Sequence, residues 1–148
     1  MRIFFGSLLA LAALTVPAYG ANPLSSAAAT VTPATAGSKA TLALKLRYEM
    51  QCGQPGPGTA VVLLPSRMHP MSSLVVRMNS TTIPGAKVSG TTVTIPLPVH
   101  KGITCMVIGP GLVTFDLVGV RNPASAGTYI VRAHVRSMDF AATVAVRA

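Results

Sequence analysis

Beyond its first twenty residues the chain is built on a period of two, and helical periodicity is almost absent. From Thr41 to Met50 the oily positions are Leu42, Leu44, Leu46, Tyr48 and Met50. Thr41, Ala43, Lys45, Arg47 and Glu49 alternate with them. That is the pattern of a strand with one face in a core and one in water. Leu112 to Val118 repeats it, with Val113, Phe115 and Leu117 inward, and so does Tyr129 to Val135, with Tyr129, Val131, Ala133 and Val135 on one side. Thr59 to Leu64 and Leu74 to Met78 are continuous apolar runs of strand length, the second ending at Asn79. Lys87 to Ile95 reads as a hairpin turning at Ser89-Gly90, where glycine supplies the positive φ of a tight turn. Ala27 to Thr32 opens the series and Phe140 to Val146 closes it.

The spacing predicts an all-β antiparallel sandwich or barrel of about seven to nine strands. Pro96 to Pro110 is a long, proline-bounded connection that carries Cys105. Pro33-Ala34-Thr35-Ala36-Gly37-Ser38 is echoed by Pro123-Ala124-Ser125-Ala126-Gly127-Thr128, each ahead of a strong strand. The echo is read as one turn chemistry used twice, with proline fixing φ at the start and glycine releasing it at the end.

The opening segment is of another kind. Arg2, the apolar stretch Ile3 to Val16 and the small residues of Ala18-Tyr19-Gly20 have the layout of a secretory signal cleaved before Ala21. The apolar stretch is shorter than the about 20 residues of a membrane span. The expected organisation is a signal at 1–20, a flexible leader at 21–28 and one β-sandwich domain at 29–148, with no transmembrane anchor. The product is expected to be secreted, extracellular or periplasmic. In that setting Cys52 and Cys105 are expected to form one disulfide, because the competing redox pair lacks a C-x-x-C spacing.

A set of segments in order resembles the immunoglobulin-like modules of bacterial surface and S-layer-associated secreted proteins. Val118-Gly119-Val120-Arg121-Asn122-Pro123-Ala124-Ser125-Ala126-Gly127-Thr128-Tyr129-Ile130-Val131 is similar to their closing strand and turn. Val88 to Ile95 resembles the central hairpin, Val31 to Gly37 the opening strand and turn, and Thr59 to Pro65 the strand ending in proline. The resemblance implies an immunoglobulin-like sandwich with a structural or adhesive role and no catalytic residues. It also implies that Tyr129 is a corner tyrosine whose hydroxyl bonds back to a nearby turn. Two features depart from the pattern: Val131 stands where an inter-sheet cysteine is usual, and the chain is strongly basic.

Lys and Arg number 12 against 3 Asp and Glu, a net charge of +9. Glu49, Asp116 and Asp139 are isolated in sequence, as are His69, His100 and His134, and no G-x-S-x-G, phosphate-binding loop or H-E-x-x-H occurs. Enzyme chemistry and a cofactor are therefore not expected. Cations that share strand faces, Lys45 with Arg47 and Arg132 with Arg136, are the candidate contacts for an anionic cell-wall polymer, another envelope protein being the other partner considered. Nucleic acid is disfavoured because aromatic residues for base stacking are scarce and tryptophan is absent. The rival reading is an exported copper carrier using Met68, His69 and Met71, since thioether and imidazole suit copper.

Overall fold

The computed structural model describes residues 26–49, 58–97, 110–135 and 138–148. The signal at 1–20, most of the leader, Cys52, Cys105 and Arg136 lie outside the described residues. Ten strands follow in chain order: β1 (Ser26–Thr32), β2 (Lys39–Glu49), β3 (Thr59–Leu63), β4 (His69–Met78), β5 (Thr81–Thr82), β6 (Lys87–Ser89), β7 (Thr92–Pro96), β8 (Pro110–Arg121), β9 (Gly127–Val135) and β10 (Met138–Val146). They form two antiparallel sheets, β1-β2-β8-β4-β5 and β10-β9-β3-β7-β6. This is the immunoglobulin-like sandwich that the resemblance implies.

The period of two becomes the two faces of each sheet. Leu42, Leu44 and Leu46 of β2 and Phe115 and Leu117 of β8 are buried against Val62, Val93, Ile95, Val131 and Val135 of the other sheet. Burying such side chains fully is worth about 1.5–3 kcal/mol each. Ser26 to Ala28, drawn into the leader by sequence, belong to β1 and pair with β2 from Ser26 opposite Arg47. The run at β3 is buried on one face only, and Leu63 remains 42% exposed on the other. The β6–β7 hairpin turns at Gly90-Thr91, one residue later than its sequence suggests, with Gly90 at φ +58°. Asn79 and Ser80 both take positive φ and make the two-residue turn between β4 and β5.

One irregularity decides which side chains face out near the end of β8. Thr41 of β2 faces Val118 and Ala40 faces Val120, so Gly119 is an extra residue. Gly119 sits at φ +99°, and a Cβ there would come within 3.4 Å of the Ser73 carbonyl oxygen. A bulge of this kind shifts the alternation by one. Leu117 and Val120 are both buried as a result, and Arg121 points outward.

The echoed turns meet at the end of the sandwich below this bulge. Asn122, 2% exposed, donates from Nδ2 to the carbonyls of Pro33 and Thr35, both at 2.9 Å. Its backbone N–H donates to Ser38 O at 2.9 Å, and the Gly37 N–H donates to Pro123 O at 2.8 Å. The end of β10 joins the same turn, with the Arg147 N–H donating to Ala34 O at 2.7 Å and the Ala36 N–H to Arg147 O at 2.8 Å. The β1–β2 turn is thereby tied to both sheets. Tyr129 donates its hydroxyl to Ser125 O at 2.8 Å, the corner bond that the resemblance implies.

Asn122→Asp keeps the shape of this side chain but replaces both donors with an acceptor facing two carbonyls. Urea denaturation is expected to show a loss of about 2–3 kcal/mol with an unchanged m-value. A loss below about 0.5 kcal/mol, the range of ordinary surface substitutions, would mean that the turn network is not a structural lock.

Candidate functional site

Among the described residues the acidic groups and histidines do not gather into a cluster. Asp116 projects from the outer face of the first sheet opposite Arg77, its partner in the β4–β8 register. Asp139, the second residue of β10, pairs with His134 of β9, Nδ1 to Oδ1 at 2.7 Å, with side chains 89% and 48% exposed respectively. An imidazole oriented by a carboxylate is one component of a general base, but this pair lies on an open sheet face. His69 stands at the start of β4, at the other end of the sandwich. Among the described residues no three His, Cys, Asp or Glu side chains come together.

The cations chosen from sequence are divided between two faces. Lys45 and Arg47 are exposed on the outer face of the first sheet, alternating with buried Leu44 and Leu46. Arg132 is exposed on the outer face of the second sheet, between buried Val131 and Ala133. These two groups point away from each other, so one flat surface does not engage both. The Met/His cluster is split as well. Met68 is fully buried in the core, whereas His69 is exposed. Met68 packs as a hydrophobic residue and is not presented beside the imidazole.

A different group of basic residues comes together at the turn end. Lys39, Arg121 and His69 are neighbours across β2, β8 and β4: Lys39 is opposite Arg121 and Arg121 opposite His69. All three are exposed. Arg121 donates from Nη1 to Gly37 O at 3.0 Å. Arg147 is held at this end by its backbone bonds to Ala34 and Ala36, and Arg67 is exposed in the short β3–β4 connection. In sequence these residues look scattered through loops and strand ends. Only the register and the Gly119 bulge align them.

An antiparallel, immunoglobulin-like two-sheet sandwich of the kind found in bacterial surface proteins is the class that this architecture defines. The chain is similar to the bacterial hydrophobin BslA, with 25% identity and a TM-score of 0.59 over 83% of this chain and 98% of that one. It is also similar in fold to BcpA, the major pilin subunit of Bacillus cereus, with 9% identity and a TM-score of 0.50 over 82% of this chain and 40% of that one. No protein-family profile matches the sequence, and no curated protein matches it by sequence. Among the described residues no helix is long and apolar enough to cross a membrane.

The split of the Met/His cluster is directly testable. Met68→Ala is expected to destabilise the fold by about 2–5 kcal/mol, as truncation of a core methionine does. His69→Ala should stay within about 0.5 kcal/mol of wild type. Adding copper(I) should leave the thermal midpoint of the wild-type protein unchanged, since a ligand stabilises only a state that binds it. A rise in midpoint that His69→Ala abolishes would restore the carrier reading.

Proposed function

We propose that the chain is an exported, non-enzymatic module that acts at surfaces outside the cell, a counterpart of the bacterial hydrophobin with which it shares its architecture. The observation that carries this reading is the likeness to BslA over almost the full length of both chains. It compares whole modules rather than a shared fragment.

The make-up of the surface supports the same reading. Asp, Glu, Lys and Arg are only 10% of the chain, well below the about 25% of an ordinary soluble protein. Leu112 and Ile130 are 63% and 52% exposed, one on each outer face. The strands β2, β7 and β9 end, and β3, β8 and β10 begin, at the end opposite the turn network. Of the sequence joining these strand ends, Ile103 to Ile108 carries no charge. An oily protein with so low a fraction of charged residues gains free energy by moving apolar area from water to an interface.

The proposal includes one disulfide between Cys52 and Cys105. Glu49 and Pro110 are register partners on β2 and β8. Cys52 follows the first by three residues and Cys105 precedes the second by five, so the chain has reach enough to bring the thiols together.

Two measurements check this reading. In a pendant-drop experiment the processed protein is expected to lower oil–water tension quickly and leave an elastic film. A decay no faster than that of a basic globular protein of equal size and charge would contradict the surface role. Thiol titration of the unfolded, unreduced protein is expected to find no reactive group, and reduction to cost roughly 4 kcal/mol of stability on the chain-entropy model. Two reactive thiols in that titration would remove the disulfide.

A further inference from the structure

The turn end concentrates positive charge far from every acidic side chain. Asp116 is five residues along β8 from Arg121, about 15 Å at the rise of a strand. Asp139 is eight residues along β10 from Arg147, about 26 Å, and Glu49 is ten along β2 from Lys39, about 33 Å. The hydrogen-bonded pair of His134 and Asp139 belongs to the opposite end. Lys39, Arg121, Lys45 and Arg47 share one outer face with Asp116, but Lys45, opposite Thr114, is only two residues from it along β8.

Within this cluster, Lys39, Arg121 and His69 form a straight row across three strands. Like charges directly opposite one another in a sheet are destabilising. A row built this way, with no Asp or Glu among its register partners, is set against the stability of its own sheet. Breaches of this kind in an otherwise consistent fold concentrate where a protein works. Arg121 is also pre-oriented by its bond to Gly37 O, so less side-chain freedom is lost when it meets a partner.

We infer that this row, flanked by Arg67 and Arg147, is a docking surface for a carboxylated polysaccharide laid across the strands. Lys39 and Arg121 stand one strand spacing of about 4.8 Å apart, with the His69 imidazole on the next strand of the row. That interval suits an extended polymer bearing one carboxylate per sugar unit. The arginine fork matches a carboxylate in a bidentate contact. Single-stranded nucleic acid fits less well, because it needs aromatic platforms. Phe115 and Phe140 are buried, and the Tyr129 hydroxyl is engaged by Ser125. This inference stands apart from the surface-film reading, since it concerns the opposite end of the sandwich.

The test uses the processed full-length chain and immobilised alginate at low salt. Lys39→Gln/Arg121→Gln is expected to weaken binding by about tenfold, equivalent to ~1.4 kcal/mol. Lys45→Gln/Arg47→Gln, which removes the same charge from the same sheet, should change it by less than about threefold, the effect of net charge alone. Lys39→Gln by itself leaves the Arg121–Gly37 bond in place. It should weaken binding while keeping or raising the thermal midpoint, because it relieves a like-charge pair. Equal losses in the two double variants would overturn the proposal, as would no binding by the wild type. Tighter binding to single-stranded DNA of matched charge, lost in the same row variant, would overturn it in favour of nucleic acid.

Discussion

The side-chain amide of Asn122 reaches from the end of β8 into the β1–β2 turn, and both of its donated bonds end on backbone carbonyls of that turn. Because the same turn also bonds to the end of β10, one connection ties together elements of both sheets. Buried carbonyls need donors, and this turn obtains them from side chain and backbone alike. Gly37, at φ +68°, lets the turn close with its N–H on Pro123 and its carbonyl toward Arg121. The seam between the sheets and the placement of the arginine thus come from a single local arrangement.

From that arrangement follows a molecule with two unlike ends. The turn end is short, hydrogen-bonded and basic. The other end receives the ends of β2, β7 and β9 and the starts of β1, β3, β8 and β10, and holds the His134–Asp139 pair. Between them the outer faces carry Lys45, Arg47, Arg77 and Asp116 on one sheet and Arg132 on the other. A protein that works at boundaries gains from such polarity, because it can meet two different phases without turning over. The basic row and the surface-film role are therefore compatible, each using a separate part of the sandwich.

The strands of regular period were legible from sequence. β2, β9 and the middle of β8 alternate cleanly, and of the residues the alternation selects the structure buries Leu42, Leu44, Leu46, Phe115, Leu117, Val131, Ala133 and Val135 and half-buries Val113 and Tyr129. β4 was only half legible. Its pairing with β8 breaks between Pro70 and Val75, the apolar run shows only Leu74 to Met78 of it, and β5, two residues long, left no pattern at all. The echo of the two turns was visible, but not that they touch, because the contact depends on how distant strands pair. The basic row was hidden for a sharper reason. Strict alternation from Leu117 puts Arg121 on the inward side, and only the extra residue Gly119 reverses this. Binary patterns carry the parity of a strand but not the bulge that resets it.

Native-state hydrogen exchange of the turn-end amides addresses the rigidity on which both the seam and the basic row rest. The N–H groups of Ala36, Gly37, Asn122 and Arg147 are expected to exchange as slowly as those of β2 and β8, opening only when the whole domain unfolds. Fast exchange at these four positions alongside a protected core would show a frayed end, unable to hold its cations in line.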